Sequence, residues 1–359
     1  MATDLIFVGG FLGAGKTTLL TTAARTLARR GRRVGVITND QAPHLFDSAV
    51  LRRGSPVAEV SGACFCCSFD DLIAAVEQLE SQGVDCILAE PVGSCTDLSA
   101  TLLQPLKDRF RPRLRTAPLT VLADPDRLLD ALDSRASGLH EATAYIYWLQ
   151  LLEADRILVT KADTLDPGIG EAIVALTRQA FPGVAVGAIA GETGAGVDSW
   201  LDDVLAGGPA GTRLLEMDYD RYALGEAALG WCNATVSVQP AHASLPARLV
   251  GVLRDAARAN GLVIGHAKVL LAADGLEASA QCTDARAPVR SSRTGVDSAP
   301  SGRLVINARV QAPPDALEAT VRAALELALE RASARGEIID FSCFSPSYPR
   351  PTHRYDHVV

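Results

Sequence analysis

A chain of 359 residues with 48% apolar content has material for more than one core, so two domains are expected. Its net charge of −8, sequence pI near 5.3 and lack of any window rich in Lys and Arg argue against nucleic acid as a partner. The opening MATDLIFVGG has no basic n-region and too short an apolar run for an export signal or a membrane span, so a cytoplasmic chain with no membrane partner is expected.

From residue 5 onward, short runs of Val, Ile and Leu alternate with helical stretches: LIFVG, a helix from about Gly15, RVGVIT, PVAEV, CILAE, PLTVLA, RILVT and VAVGAI. Near-continuous apolar strands joined by crossover helices are buried on both faces, which predicts an α/β, doubly wound, mostly parallel sheet over residues 1–206. In DDLIAAVEQLE, Leu72, Val76 and Leu79 recur at helical spacing behind acidic residues that favour the positive end of the helix dipole. GGPAG opens a linker, 207–220, after which the texture changes. WCNATVSV, LVIGHAKVLL and RLVINARV read as strands, and LPARLVGVLRDAARAN and DALEATVRAALELALERA as amphipathic helices. Residues 221–359 are therefore expected to form a second, smaller α+β domain. Within it, the aperiodic stretch rich in Ser, Pro and Gly at about 283–302 is expected to be a mobile loop.

Between the first strand and the first helix stands GFLGAGKT, a complete GxxxxGK[ST] phosphate-binding pattern. Gly10, Gly13, Ala14 and Gly15 let successive N–H groups face phosphate oxygens, Lys16 supplies a cation, and Thr17, followed by Thr18, offers a hydroxyl to Mg²⁺. The plain alternative is a glycine-rich turn. TKAD closes the strand RILVT, so Thr160, Lys161 and Asp163 are candidates for a guanine site. A carboxylate at Asp163 would accept from the ring N–H and the amine of guanine, at about 1.5–3 kcal/mol per bond, enough for about a hundredfold preference over adenine. A solvated Lys and Asp capping the next helix would leave the same letters. The loop AGETGAG, 190–196, is a candidate second wall for the base. Glu90 ends the strand CILAE with Gly93 three residues on, an ExxG placed to serve Mg²⁺ and water, and Asp40, with Asp47 behind it, lies in a loop suited to sense the γ-phosphate.

Three of the eight cysteines fall in CFCC. Cys64 and Cys66, one residue apart, would project to the same side of an extended segment and share an ion, with Cys67 pointing elsewhere or completing the shell. Thiolates suit Zn²⁺ or Cu⁺ and accept Co²⁺ or Fe²⁺, and a further ligand could come from His44, Asp40, water or another protein. The alternatives are a redox pair or inert buried thiols. Cys86, Cys95, Cys232, Cys282 and Cys343 are scattered and read as small buried hydrophobes.

The succession GGFLGAGKTT, ND, CFCC, EPVG and TKAD resembles the CobW-like branch of the P-loop GTPases, relatives of the UreG and HypB nickel chaperones, over about the first 200 residues. CxCC between the phosphate motif and ExxG is its most specific mark. EPVGSCTDL, YDRYALGEAALGW and FSPSYPRPTHRY look like its cobalamin-synthesis-like subgroup. The resemblance implies GTP hydrolysis coupled to loading or release of zinc or cobalt for a client metalloprotein, with a homodimer as one assembly. It assigns Lys16 and Thr17 to phosphates and Mg²⁺, Glu90 to Mg²⁺ and water, Lys161 and Asp163 to guanine, and Cys64, Cys66 and Cys67 to the transferred metal. Where many relatives carry a second acid after the ND pair, this chain has Pro43 and His44, and its six histidines form no tract. The rival readings are a P-loop kinase with a structural zinc, and a non-catalytic scaffold for a metalloenzyme.

Overall fold

The computed structural model describes residues 2–40, 55–133 and 139–359, with Asp40 described through its backbone only; Pro43, His44 and Asp47 lie outside the described residues. The first strands are β1 (Thr3–Gly10), β2 (Val34–Asp40), β3 (Val57–Ser61), β4 (Cys86–Glu90) and β5 (Leu114–Thr116). β6 (Thr120–Ala123), β7 (Arg156–Val159) and β8 (Ala185–Ala188) complete a parallel sheet of order β3-β2-β4-β1-β6-β7-β8, with β5 also on β1. All eight residues of β1 are buried, which is why an unbroken apolar run was required there. β5 escaped the sequence reading because three residues carry no period. Since β1 is central, it delivers the phosphate motif to the carboxyl ends of the strands, where open α/β sheets bind their ligands.

Apolar side chains cover both faces of this sheet. Leu19, Leu20, Ala23 and Leu27 from the helix Lys16–Arg29 pack on one face with Trp200 and Leu201. Phe7, Phe11, Phe65, Phe69 and Leu72 pack on the other, and that core runs on to Tyr222, Leu229 and Trp231. The helix Tyr219–Ala227 straddles the boundary expected at 221 and belongs by packing to the first domain. A Cβ on its Gly225 would come within 2.3 Å of Ala142 O, so only glycine permits this approach to the helix Glu141–Glu153.

The remaining strands are β9 (Gly230–Gln239), β10 (Ala241–His242), β11 (Ile264–Ala273), β12 (Leu276–Cys282), β13 (Arg290–Gly295), β14 (Ser298–Ala299), β15 (Gly302–Val310) and β16 (Arg335–Phe344). Six of them form an antiparallel sheet of order β13-β12-β11-β15-β9-β16. Val269, Leu271, Ile306 and Val236 point to one face, where the helices Leu245–Ala259 and Pro314–Arg331 cover them. The stretch at 283–302 corrects the loop expectation, because Arg290–Gly295 pairs with β12 from Gln281↔Arg290 to Leu276↔Gly295. As an edge strand exposed along its whole length, it has no buried face to impress an alternation on its sequence. Among the described residues, no helix is long and apolar enough to cross a membrane.

Candidate functional site

A cavity of about 560 Å³ opens at the carboxyl ends of β1, β4 and β7, lined by Gly13, Gly15, Lys16, Thr17, Thr18, Asn39, Glu90, Gly93, Thr160, Lys161 and Asp163 among others. Gly10, Gly13 and Gly15 have φ of 131°, 80° and 94°, left-handed values that let the loop curl before the helix. Gly10 and Ala14 do not line the cavity. A Cβ on Gly10 would strike Leu122 O at 2.6 Å, and the Ala14 N–H donates to Phe11 O at 3.1 Å, so both shape the loop. Lys16 Nζ donates to Gly10 O at 2.8 Å, which holds its charge over the loop's own concavity. The Thr17 hydroxyl lies 3.2 Å from both oxygens of Glu90. Adjacent ligands of an octahedral ion with bonds of about 2.0–2.1 Å stand about 3 Å apart, so this pair fits Mg²⁺.

At the far end, Asp163 is exposed on the turn Ala162–Thr164, and Lys161 adopts φ 55° with its ammonium 2.5 Å from Asp124 Oδ2. Asp124 in turn accepts from the backbone of Asp126 and Arg127 and caps the helix Pro125–Leu132. Lys161 is thereby anchored, while Asp163 stays exposed at the rim of the cavity. Gly191 and Glu192, from the loop proposed as a second wall, also line the cavity, and Gly191 O accepts from Thr22 Oγ1 at 2.6 Å.

The thiols lie on a turn between β3 and the helix Phe69–Ser81. The N–H groups of Cys67 and Ser68 both donate to Cys64 O, so the segment is not extended as expected. Turning brings all three sulfurs together: Sγ–Sγ distances are 2.9 Å for Cys64–Cys66, 3.2 Å for Cys64–Cys67 and 3.9 Å for Cys66–Cys67. Zn–S bonds of about 2.3 Å place tetrahedral sulfurs about 3.8 Å apart, so an ion would be accommodated by moving Cys64 less than an ångström. Hydrogen bonds from Cys66 and Cys67 hold the Cys64 thiol well below its usual range, while the Cys64 contact pushes Cys66 well above it and Cys67 up to about 11. No disulfide joins the trio.

The family model described as CobW/HypB/UreG, nucleotide-binding domain, matches residues 4–182. That stretch is a CobW-type nucleotide-binding domain. The chain is 30% identical over 194 residues to the zinc chaperone CobW of Pseudomonas aeruginosa, a match covering 44% of this chain and 48% of the relative, so it spans about half the length of that curated protein. Among solved structures it is similar to Helicobacter pylori HypB in complex with nickel, with 18% identity, a TM-score of 0.42 and coverage of 57% of this chain and 86% of that one. It is likewise similar to the Zn(II)-bound YjiA GTPase of E. coli, with 20% identity, a TM-score of 0.37 and coverage of 91% and 98%.

Around the CobW-type motifs, several side chains matter that sequence reading passed over. Asn39, beside the favoured Asp40, lines the nucleotide cavity and also pins the thiol turn: its amide donates to Val60 O at 3.0 Å and Ala63 O at 2.8 Å and accepts from Phe65 N–H at 2.8 Å. Cys95 is buried in the same apolar core as Cys64 and Cys66, as expected of a small buried hydrophobe. The C-terminal tail closes over the turn. Arg350 N–H donates to Cys67 Sγ at 3.3 Å, Thr352 N–H to Cys66 O at 2.8 Å, and the Thr352 hydroxyl to Cys67 O at 3.1 Å. His353 stacks edge-on against Phe69 with centroids 5.0 Å apart, a packing role rather than a ligand's.

The second domain roofs the nucleotide cavity. The face of its sheet opposite the helices presents His266, Lys268, Gln281 and Arg309 to the phosphate loop. A Cβ on Gly13 would lie 2.8 Å from Thr283 Cβ and 3.0 Å from Gly265 O, so the CobW-type loop and this sheet are in direct contact. Burial, with Lys268, Arg309 and Lys16 nearby, holds His266 well below its ordinary range and hence neutral. Period-two alternation along LVIGHAKVLL already separates His266 and Lys268 from Val269 and Leu271; only the partner of their polar face was invisible.

Proposed function

We propose that the chain is a GTP-hydrolysing metallochaperone that takes a thiophilic ion, Zn²⁺ or alternatively Co²⁺, on Cys64, Cys66 and Cys67 and yields it to a client metalloprotein in the cytoplasm. The observation that carries this reading is the double engagement of Asn39, one side chain that faces the nucleotide cavity and fixes the thiol turn. The zinc chaperone CobW to which the chain is similar supports zinc as cargo.

In this reading the backbone N–H groups of residues 13–17 and the helix N-terminus hold the phosphates, and Lys16 leaves Gly10 O for the outer oxygens. Thr17 and Glu90 would hold Mg²⁺, which would supply positive charge to the phosphates, and Asp40 would sense the γ-phosphate. Asp163 selects guanine, with Thr160 and Lys161 shaping its turn. Gly93 lets the ExxG loop approach Lys16, since a Cβ there would stand 3.1 Å from Nζ. Intrinsic turnover is expected to be slow without a partner.

Phosphate release from GTP and ATP by purified chain, with Zn²⁺ titration of wild type and of the Cys64→Ser/Cys66→Ser variant, tests the proposal. It expects a preference for GTP and loss of one Zn²⁺ site in the variant. ATP turnover with a phosphorylated acceptor and an unchanged zinc site would point to a kinase instead.

A further inference from the structure

We propose that Lys268, on the sheet of the second domain, binds the phosphate chain of the nucleotide from the roof side, so that one nucleotide bridges both domains. This rests on reading the cavity as a GTP site and adds a cation that the phosphate motif does not contain.

The roof meets the floor at two ends of the cavity. At the phosphate loop, a Cβ on Gly265 would stand 2.8 Å from Leu12 Cδ1, and one on Gly13 would stand 3.0 Å from Gly265 O, so β11 begins in contact with the loop. At the base loop, Arg290 pairs with Glu192 at 3.3 Å. Strand register sets Lys268 between these points, because it pairs with Gln281, and Gln281 pairs with Arg290. Three residues along β11 from Gly265, and two strands across from Arg290, are each about 10 Å. Lys268 therefore stands over the middle of the cavity, where the phosphates of a nucleotide with its base at Asp163 and its outer end at Lys16 would run. Alternation aims it downward: His266 and Lys268 on β11 and Ser279 and Gln281 on β12 line the cavity, while Val269 and Leu271 pack under the helices.

Charge marks what this roof receives. Among the described residues, every acid that lines the cavity, Glu90, Asp163 and Glu192, belongs to the first domain, and the roof contributes Lys268, Arg290 and Arg309. Arg290 is engaged with Glu192. Arg309 is built into the roof, stacked on Trp231 at 4.0 Å and donating to Cys232 O at 3.2 Å and Asn233 Oδ1 at 3.1 Å. Lys268 is half-buried and carries a compact ammonium on a flexible stem, which suits it to follow a phosphate oxygen. A cationic face without carboxylates, closed over a loop and helix N-terminus that already favour anions, is complementary to a polyanion. A nucleotide held from both sides draws the domains together, and the closed arrangement in turn tightens its hold on the nucleotide.

Nucleotide binding by the full-length chain tests this. Lys268→Ala should bind a non-hydrolysable GTP analogue and GDP, each with Mg²⁺, at least about tenfold more weakly than wild type, the loss expected of one charged hydrogen bond. Lys268→Arg keeps the charge and should recover most of it. Melting separates binding from packing: the Tm of Lys268→Ala should match wild type without nucleotide and rise less when the analogue is added. Affinities within twofold of wild type would overturn the proposal, as would an arginine variant as weak as the alanine one. A nucleotide-free Tm that falls along with affinity would assign Lys268 to packing and overturn it too. Should Lys268→Ala not fold, Lys268→Met, which keeps the apolar stem, gives the same reading. If wild type binds neither GTP nor GDP, the GTPase reading falls together with this inference, whereas tight wild-type binding that Lys268 variants leave unchanged removes the inference only.

Discussion

Asn39 carries more of the site than its size suggests, because its amide satisfies two carbonyls and one N–H of the thiol turn at once. Side chains that orient metal ligands are worth about 10–100-fold in affinity, so Asn39→Ala should weaken Zn²⁺ binding by that factor while Cys64, Cys66 and Cys67 remain. Competition against a zinc indicator checks it, and an affinity within twofold of wild type would refute the role. The residues legible from sequence were those bound by spacing: Lys16, Thr17, Glu90, Asp163 and the trio each sit at fixed offsets in a motif. Asn39 was hidden by its more obvious neighbour Asp40. Cys95, on the loop that follows Glu90, carries no spacing of its own, and only the fold places it in the same core as Cys64 and Cys66.

Elements on the two sides of that loop set its stability and its cover. The helix Glu141–Glu153 ends on a fully buried carboxylate that accepts from Thr96 Oγ1 at 3.0 Å and Ser99 N–H at 3.1 Å. Burial pushes Glu153 from an ordinary 4.5 up to about 8, so the folded chain holds this proton more tightly than the unfolded one. Its contribution is complete below about pH 4.5 and is lost as pH rises through about 8. Glu153→Gln cannot ionise, so relative to wild type its stability should gain on the order of a few kcal/mol between about pH 5 and pH 8. Urea denaturation at both values measures this, and a difference independent of pH would contradict it. On the opposite side the tail segment Arg350–Thr352 covers Cys66 and Cys67. Deleting residues 349–359 should speed alkylation of Cys67 several-fold, and unchanged reactivity would show that the tail gives no protection. These elements divide by legibility. Helices with an apolar stripe and doubly buried strands were readable from period alone, whereas the edge strand Arg290–Gly295 and the tail answer to partners distant in sequence.

At the scale of the molecule, two domains share one cavity. Arg127 of the first domain donates to Ile264 O at 2.9 Å and Thr283 O at 3.1 Å of the second, and Arg290 on β13 pairs with Glu192 of the base loop at 3.3 Å. A nucleotide held in this cavity would lie between the phosphate loop and a sheet that forms its roof, and Asn39, which lines the cavity and holds the thiol turn, would respond to occupancy of either site. The most direct test is the Zn²⁺ affinity of the full-length chain with Mg²⁺ and a non-hydrolysable GTP analogue, with GDP, and without nucleotide. The account predicts affinities that differ by about tenfold or more between the GTP-like and GDP states, a coupling of about 1.4 kcal/mol. Equal affinities in all three would contradict it.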